Sequence, residues 1–339
     1  MQGHRLQVGV LGVGRIGKIH SENLITRIAG AELAILADVV PAELNAVAAR
    51  LGVSKTASGY GDVVNLPDIE AVVICTPTDT HYQIILDAAA AGKHIFCEKP
   101  IELSIDKMRT INETVEKCGV QLMVGFNRRF DPNFSKVRAM IEAGKIGRAQ
   151  VLRITSRDPA PPPETYLQAS GGLFLDMTIH DFDMARFLIG TDVKEVYAKA
   201  DVLIDPVFKK VGDWDTAVVT LTFENGALGT IDNSRKAVYG YDQRVEVFGS
   251  EGMVAIKNKA PDDHVHLDQT GTHSSPPLHF FLERYADSYL TEMRVFVDAI
   301  RNKKPVPVTG KDGLMSVAIG LAATRSAKEN RPVELAEIL

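Results

Sequence analysis

Three glycines near the start of the chain, Gly12, Gly14 and Gly17, constrain its fold more than any other feature. They follow an apolar run over residues 6–12 and form G-x-G-x-x-G where a predicted strand gives way to a helix. The first glycine permits a tight turn, the second lets a pyrophosphate approach the backbone, and the third lets the helix pack on the strand. Phosphates then meet the free N–H groups at the helix start. The pattern therefore predicts a dinucleotide-binding turn, with a ligand-free glycine-rich turn as the alternative.

Asp38 indicates which dinucleotide the turn would bind. It ends the next predicted strand, about 20 residues beyond the glycines, where a carboxylate can accept hydrogen bonds from adenosine ribose hydroxyls. A 2′-phosphate would face this carboxylate, and the neighbouring Val39 and Val40 offer no arginine to offset the repulsion. The sequence therefore predicts NAD rather than NADP.

Two further candidates for cofactor contact follow the third predicted strand. Thr76 and Pro77 end that strand at the carboxyl edge, where ligands bind in sheets of this kind, although a plain turn would explain them as well. His81, in the first turn of the next predicted helix, is a candidate contact to the cofactor, but a solvated or capping role is favoured.

The order of predicted elements indicates an α/β fold in two domains. Short apolar runs at 6–12, 31–38, 71–76, 94–99 and 121–126 alternate with helical stretches, as a parallel sheet of βαβ units requires. The second half instead has consecutive strands, with Asn225-Gly226 as a hairpin turn, which predicts an open, mostly antiparallel sheet. Because 339 residues exceed one ordinary core, we expect a Rossmann domain over residues 1–127 and an α+β domain over 128–339.

Composition excludes several classes of partner. The formal net charge of −5 and the pI near 6 give no reason to expect binding to nucleic acid or an anionic membrane. No run of about 18 apolar residues predicts a membrane span. The three cysteines predict buried thiols in a reducing compartment, and hence a cytoplasmic protein. Histidines within 264–279 lack the spacing of a zinc site, so we expect no metal and an exposed loop there.

Asp176 and His180 carry the chemistry that the second domain offers. They stand four residues apart in GGLFLDMTIHDFD (171–183), and residues at i and i+4 share a face of a helix. A carboxylate there can hold an imidazole in one tautomer and stabilise its protonated form, as a general base needs. The segment taken alone is also explained by an amphipathic helix.

Glu98, Lys99 and Pro100 end the fourth predicted strand, on the same carboxyl edge as the glycine turn. A proline after a lysine biases the lysine backbone to an extended conformation. We therefore expect the side chain of Lys99 to enter the crevice at this edge, with a surface ion pair as the default alternative.

These motifs, in this order, resemble the glucose-fructose oxidoreductase/inositol dehydrogenase family over essentially the whole chain. The strings AVVICTPTDTH, FCEKPI, LMVGFNRRFDP, ITSRDP, GGLFLDMTIHDFDMARFL and NSRKAVYGYDQRVEVFGS are similar to its inositol-oxidising bacterial members. The resemblance implies NAD-dependent oxidation of a ring hydroxyl of myo- or scyllo-inositol to the keto-inositol. It also implies a homotetramer assembled through the sheets of the second domain.

The resemblance implies a role for each catalytic candidate. His180 would take the proton of the substrate hydroxyl, Asp176 would orient His180, and Lys99 would hydrogen-bond the reacting oxygen. The hydride would pass to C4 of the nicotinamide. These roles agree with the chemistry, because alcohol oxidation needs a base and a positive charge near the developing alkoxide, while the cofactor takes the hydride.

Binding residues follow from the same resemblance. The full set of predicted cofactor contacts is Gly12, Gly14, Arg15, Ile16, Gly17, Asp38, Thr76, Pro77, His81, Glu98, Lys99 and Arg128. The predicted substrate contacts are Lys99, Asn127, Arg157, Asp158, Asp176, His180 and Tyr239. A strand salt bridge would equally explain Arg157 and Asp158, and Tyr241 could replace Tyr239 as the contacting ring. An amide at Asn127 could alter which hydroxyl pattern is accepted, because some related dehydrogenases have an apolar residue there.

Two other functions remain open at this point. The first is an NAD-dependent sugar dehydrogenase of the same fold, acting on a pyranose ring hydroxyl of similar geometry. The second is a non-catalytic NAD-binding regulator, which could lose Lys99 or His180 without penalty, whereas both are present here with Asp176.

Overall fold

In the computed structural model, which describes residues 4–339, the first part of the chain builds a parallel sheet. Its elements are β1 (Leu6–Leu11), α1 (Arg15–Thr26), β2 (Ala31–Ala37), α2 (Pro41–Leu51), β3 (Thr56–Ala57), α3 (Tyr60–Val64), β4 (Ala71–Ile74), α4 (Thr78–Ala90), β5 (His94–Glu98), α5 (Ile105–Cys118) and β6 (Leu122–Gly125), followed by a 3-10 turn (Asn127–Phe130). The strand order is β3-β2-β1-β4-β5-β6, with every pair parallel. The order reverses between β1 and β4, which is where ligands bind in doubly wound sheets.

The five predicted strands of this sheet are all present, and their burial explains why the sequence revealed them. Every residue of β4 and β6 is buried, as expected for strands covered by helices on both faces. Strand β3 was not predicted, because its two residues are too few to form a hydrophobic pattern.

The second part of the chain contains a larger sheet, a separate two-stranded hairpin (β13 and β14) and the remaining helices. Its elements are α6 (Pro132–Glu142), β7 (Ala149–Arg157), α7 (Glu164–Leu167), α8 (Leu173–Asp176), α9 (Ile179–Ile189), β8 (Val193–Asp201), α10 (Pro206–Lys210), β9 (Thr216–Phe223), β10 (Leu228–Ser234), β11 (Asp242–Gly249), β12 (Gly252–Ile256), β13 (Val265–Asp268), β14 (Gly271–Ser274), α11 (Phe281–Arg284), α12 (Ala286–Arg301), α13 (Gly310–Glu329) and β15 (Val333–Glu334), with a final 3-10 turn (Leu335–Glu337). The seven-stranded sheet has the order β12-β11-β7-β10-β9-β8-β15. Only β7 and β10 pair in parallel; the other neighbours are antiparallel. The predicted open, mostly antiparallel sheet is confirmed.

The chain forms two compact units that are not continuous in sequence. Of the described residues, one unit comprises 4–130 together with Asp287–Leu314, and the other comprises Asp131–Ala286 with Met315–Leu339. This division differs from the predicted single boundary after residue 127. The late segment joins the first unit because Phe296 of α12 packs on Phe96 of β5, with ring centroids 5.8 Å apart. The N–H of Val124 also donates a hydrogen bond to the carbonyl of Val308, at 3.0 Å.

Two smaller expectations need correction. Cys97 is buried, but Cys118 is exposed, because it ends α5 on the surface. The predicted loop around the late histidines contains the hairpin of β13 and β14, whose residues are all exposed. Among residues 4–339, none of the helices combines the length and the apolar character needed to cross a membrane.

Candidate active site

The three glycines of the first unit play different parts in the turn between β1 and α1. Gly12 has a φ of +90°, and a Cβ there would lie 2.7 Å from the carbonyl oxygen of Cys75. A Cβ at Gly17 would lie 1.9 Å from the carbonyl oxygen of Gly12. A Cβ at Gly14, by contrast, would have no atom within 4 Å. Gly12 and Gly17 are therefore required by packing, and Gly14 borders the open space that a ligand would enter.

The start of α1 suits a diphosphate. Gly14 occupies the cap position without a side-chain hydrogen bond, and the first turn contains no acidic residue. The first N–H groups of a helix have no partner within the helix, and the helix dipole is positive there. Arg15 and Ile16 lie in this turn, and the exposed Arg15 adds a positive charge. These features fit the predicted dinucleotide.

Asp38 lies beside the same turn. Its carboxylate accepts hydrogen bonds from the N–H of Val13 at 2.7 Å and from the N–H of Val40 at 2.9 Å. It is thus tied to the glycine turn while standing at the end of β2. This position fits the predicted contact to the adenosine ribose.

His81 is buried, with 1% of its surface exposed, so the favoured solvated role was wrong. Its Nδ1 is 2.9 Å from the carbonyl oxygen of Pro100, and its Nε2 is 2.8 Å from that of Thr76. Burial lowers the pKa of His81, against the raising effect of these two carbonyls. The ring therefore links the ends of β4 and β5 instead of offering a nitrogen to solvent. Pro77 occupies the N-cap position of α4, without a side-chain hydrogen bond.

Lys99 lies at the carboxyl end of β5, as predicted, and is half-buried. The residues on both sides of Lys99 make hydrogen bonds. Oε1 of Glu98 is 2.8 Å from Nε2 of His20, and the carbonyl oxygen of Pro100 is 2.9 Å from Nδ1 of His81. Asn127 and Arg128 follow β6 on the same edge and are buried. The first unit thus brings the predicted cofactor residues to one edge of its sheet.

In the second unit, Asp176 and His180 do not share one regular helix, contrary to the prediction. Helix α8 ends at Asp176 and α9 begins at Ile179. Between them, the N–H of Thr178 donates to the carbonyl of Leu173, five residues back, and the Thr178 hydroxyl lies 3.2 Å from that same oxygen. A threonine hydroxyl that competes for a backbone carbonyl disturbs regular helix geometry. His180 thus belongs to a separate helix from Asp176. It lies in the first turn of α9 and is half-buried.

The start of α8 is built by a polar contact and a glycine. The N–H of Leu173 donates to Oδ1 of Asp213 at 2.9 Å, which satisfies one free donor of the short helix. Gly172, with a φ of +83°, lies directly beside this carboxylate, and a Cβ there would be 2.9 Å from Oδ1 of Asp213. The pair Gly171-Gly172 in the sequence thus reflects the turn that places Asp176.

Asp176 is held by hydrogen bonds to both carboxylate oxygens. The hydroxyl of Tyr166 donates to Oδ1 at 2.7 Å, and Nη2 of Arg235 donates to Oδ2 at 2.9 Å. Nη1 of Arg235 also donates to Asp158, at 3.2 Å. Burial alone would lower the pKa of Arg235, but the charges of Asp176 and Asp158 raise it on balance. Asp176 is therefore an anion next to a permanent cation.

Sequence reasoning missed Tyr166 and Arg235. Burial of its hydroxyl and then the charge of Asp176 raise the pKa of Tyr166, so it remains a donor. Arg235 follows directly after β10, a strand-end position that could have marked it as a candidate. Nothing in the sequence indicated that its guanidinium is only 4% exposed.

Arg157 and Tyr239 belong to a different hydrogen-bonded group from Asp176. Nε of Arg157 donates to Asp232 at 2.7 Å and Nη1 to the hydroxyl of Tyr239 at 3.1 Å. Successive strand residues point to opposite faces, so Arg157 and Asp158 diverge. Arg157 and Tyr239 line a cavity of about 410 Å³ in the second unit. The salt-bridge alternative is thus present for both residues, Arg157 with Asp232 and Asp158 with Arg235.

Comparison with known proteins identifies a family for both parts of the chain. Residues 6–126 match the oxidoreductase family with an NAD-binding Rossmann fold, and residues 134–255 match the GFO/IDH/MocA C-terminal domain. The chain belongs to the GFO/IDH/MocA oxidoreductase family. The predicted Rossmann domain, its use of NAD and the oxidoreductase activity are therefore confirmed at the level of the family.

Similar proteins within the family extend over the whole chain. Myo-inositol 2-dehydrogenase of Thermotoga maritima is 48% identical over 98% of this chain and 100% of its own length. Inositol 2-dehydrogenase of Rhizobium meliloti is 45% identical over 98% of this chain and 99% of its own. Among solved structures, this chain is similar to scyllo-inositol dehydrogenase from Lactobacillus casei, which was crystallised with bound NAD(H) and scyllo-inositol. The two sequences are 33% identical. That structure superposes with a TM-score of 0.93 and covers 98% of this chain and 100% of that one.

Proposed function

We propose that this oxidoreductase oxidises a ring hydroxyl of inositol, either myo- or scyllo-inositol, to the keto-inositol with NAD. The observation that carries the proposal is the fixed carboxylate of Asp176 four residues before His180. Relatives named for inositol oxidation, up to 48% identical over the whole chain, support the choice of substrate.

In this proposal His180 is the general base. The O–H bond of the substrate breaks and its proton goes to the imidazole, while the C–H electrons leave as hydride and a C=O bond forms. Asp176 stabilises the imidazolium and the orientation of the ring, and it can do so because Arg235 and Tyr166 hold it as an anion. Lys99 donates to the reacting oxygen and stabilises its developing negative charge.

NAD supplies the hydride acceptor. The start of α1, with Gly14, Arg15 and Ile16, would bind the diphosphate, and Asp38 would bind the ribose. Gly12 and Gly17 shape the turn. The remaining proposed contacts at the sheet edge come from Thr76, Pro77, His81, Glu98, Lys99 and Arg128. Among these, His81 would act by holding the edge together, because both of its ring nitrogens meet backbone carbonyls.

For the substrate, we propose Asn127 and Asp158 as contacts to the other ring hydroxyls. Asp158 shares Arg235 with Asp176, which supports its assignment to the same binding region. Arg157 and Tyr239 lie in a separate cluster, so we assign them no contact with the reacting hydroxyl, and a substrate role for them stays a prediction.

We also propose that the protein is a cytoplasmic homotetramer assembled through the sheet of the second unit. Four apolar side chains of that sheet are about half exposed: Val218 (52%), Leu228 (54%), Phe248 (49%) and Met253 (53%). Several such side chains on neighbouring strands are typical of a surface that another subunit covers.

The proposal is tested by measuring NADH formation from myo-inositol, scyllo-inositol and D-glucose, with NAD and NADP in parallel. We expect the highest kcat/KM with a cyclitol and NAD. A higher value with glucose would make the protein a sugar dehydrogenase. Tight NAD binding without turnover of any polyol would support the non-catalytic regulator instead.

A further inference from the structure

The first unit contains a buried polar cluster that joins Glu98, the residue before Lys99, to two residues without a role in the proposed reaction. It consists of His20 on α1, Glu98 at the end of β5 and Glu292 on α12. Nε2 of His20 lies 2.8 Å from Oε1 of Glu98 and 3.9 Å from Oε1 of Glu292. The side chains of His20 and Glu292 are 0% exposed, and that of Glu98 is 13% exposed. Two carboxyl groups thus face one imidazole nitrogen.

Only one of the two carboxyl groups is within hydrogen-bonding distance of the histidine. Nε2 of His20 and Oε1 of Glu98 share this hydrogen bond, in which an ionised Glu98 accepts from the ring N–H. Neither oxygen of Glu292 has a hydrogen-bond partner among residues 4–339. An isolated carboxylate in such a place would be very costly, and a buried acid avoids this cost by keeping its proton. Burial and then the charge of Glu98 raise the pKa of Glu292 well above its usual value.

The surroundings allow Glu98 little freedom. A Cβ at Gly125 would lie 3.1 Å from the carboxyl atoms of Glu98, so that side chain is packed directly against the neighbouring strand. The ring of His20 is wedged between Phe96, at 5.0 Å, and Tyr289, at 5.9 Å between centroids. The hydrogen bond between His20 and Glu98 is therefore made by two side chains that cannot easily rearrange.

The backbone of Lys99 is restrained because the residues on both sides of it are held in place. Glu98 precedes it and is fixed by His20, while Pro100 follows it and has its carbonyl oxygen against His81. The Cα of Lys99 thus lies between two anchored residues. A displacement of either anchor would move the amine of Lys99, and small misplacements of a reacting group are costly in rate.

We propose that His20 and Glu292 are positioning residues for Lys99, with Glu292 as an uncharged acid that leaves Glu98 as the anionic partner of His20. Ionisation of Glu292 would create a second anion beside the same imidazole, which would repel Glu98 and compete for His20. The effect on turnover rests on the proposed function, whereas the charge state of Glu292 does not.

The first test compares the thermal unfolding of the full-length wild type and Glu292→Gln, each with saturating NAD, from pH 5 to pH 9. An acid whose pKa is raised by folding binds more protons in the folded state, so its stability contribution falls as pH rises above the unfolded pKa of about 4.3. We therefore expect the glutamine variant to gain Tm over the wild type increasingly with pH. The other titratable groups facing Glu292 are His20, Glu98 and Cys75, and both proteins contain them.

The control is Asp298→Asn, which removes an exposed carboxylate from the same helix. Its Tm difference from the wild type should not grow with pH. A Tm difference between Glu292→Gln and the wild type that does not change with pH, or that moves in favour of the wild type as pH rises, would overturn the uncharged state of Glu292. One equivalent of a divalent metal in the purified wild type, absent from Glu292→Gln, would also overturn it, since the cluster would then bind a cation.

The second test measures kcat for inositol oxidation against pH. Glu98→Gln should lower kcat by about tenfold or more, because His20 loses its anionic partner. Glu292→Gln should abolish or shift the loss of kcat at alkaline pH, since it cannot ionise. An alkaline limb identical to that of the wild type would contradict the positioning role. If the wild type oxidises no polyol, the proposed function fails, and the unfolding experiment still decides the state of Glu292.

Discussion

Two buried acids in this protein, Asp176 and Glu292, have opposite surroundings. Asp176 accepts hydrogen bonds on both oxygens, one of them from Arg235, and is therefore an anion. Glu292 has no hydrogen-bond partner among the described residues and faces a second carboxylate, Glu98. Asp176 stands four residues before the proposed base His180, and Glu292 faces Glu98, the residue that precedes Lys99. The same chemical group thus carries a charge in one unit and, in our proposal, keeps its proton in the other.

The comparison of Asp176 with Glu292 indicates that the hydrogen-bond partners of a buried acid, rather than its burial alone, determine its charge. An anion stabilises a neighbouring imidazolium, which a base such as His180 needs. A neutral acid removes a competing charge, which keeps Glu98 paired with His20. The variants below alter the proposed base, the two partners of Asp176 and the cofactor site. They are given in order of decreasing expected effect.

Replacement of the proposed base should have the largest effect. We expect His180→Ala to lower kcat by about a hundredfold to ten-thousandfold, the usual contribution of a general base. The Kd for NAD, measured by fluorescence titration, should stay close to that of the wild type, because the glycine turn is unchanged. Turnover near the wild-type rate would exclude His180 as the base.

Removal of the cation from Asp176 should come next. Arg235→Met leaves two carboxylates without their shared partner, and breaking a buried ion pair costs about 3–5 kcal/mol. We expect a marked loss in the free energy of unfolding, measured with urea, together with at least about a tenfold loss of kcat.

The matched control for Arg235 is Arg153→Met, whose side chain is 68% exposed and 3.7 Å from Glu246. Exposed pairs contribute about 0–1 kcal/mol, so this variant should be nearly as stable as the wild type. If Arg235→Met does not fold, Arg235→Lys can be compared, because it keeps the charge but loses the planar group that bridges Asp158 and Asp176. Equal stability and kcat for Arg235→Met and the wild type would disprove the role of the pair.

Asp38 offers a test of the cofactor site that leaves both acids untouched. We expect Asp38→Ala to weaken NAD binding and to narrow the preference for NAD over NADP by about tenfold, because the ribose loses its acceptor and a 2′-phosphate loses its repulsion. The ratio of kcat/KM with the two cofactors measures this directly. An unchanged ratio would show that Asp38 does not contact the ribose.

The smallest effect should come from Tyr166→Phe, which removes one of the two donors to Asp176 but keeps Arg235. A single hydrogen bond contributes about 1 kcal/mol, so kcat should fall about fivefold. Tyr197→Phe, which loses an exposed contact to Asn330, is the control and should retain full turnover. A loss as large as that of Arg235→Met would mean that Tyr166 itself contacts the substrate.

The sequence predicted best those parts of the fold in which burial imposes a repeated pattern. Strands such as β1 and β4 are apolar runs, and the glycine spacing at the end of β1 is typical of a dinucleotide-binding turn. The return of Asp287–Leu314 to the first unit could not be predicted, because the apolar face of α12 would fit either core.

The candidate site was predictable only in its residue types. Asp176, His180 and Lys99 were found from motifs, but the break between α8 and α9 depends on Thr178, whose hydroxyl could not be assigned a partner from sequence. The side chains of Arg157 and Asp158 point to opposite faces because neighbouring residues of an extended strand alternate. The burial of Arg235 depends instead on carboxylates that are distant along the chain. Contacts of this kind are set by tertiary structure, which leaves no local pattern.

The most direct test of the proposed reaction uses myo-inositol and scyllo-inositol with deuterium on every ring carbon. After incubation with the protein and NAD, mass spectrometry of the reduced cofactor reports where its new hydrogen came from. Transfer of hydride from the ring predicts one deuterium in each NADH, with one keto-inositol formed per NADH. Reduced cofactor without deuterium, or no keto-inositol from either substrate, would contradict the proposal that this protein oxidises inositol.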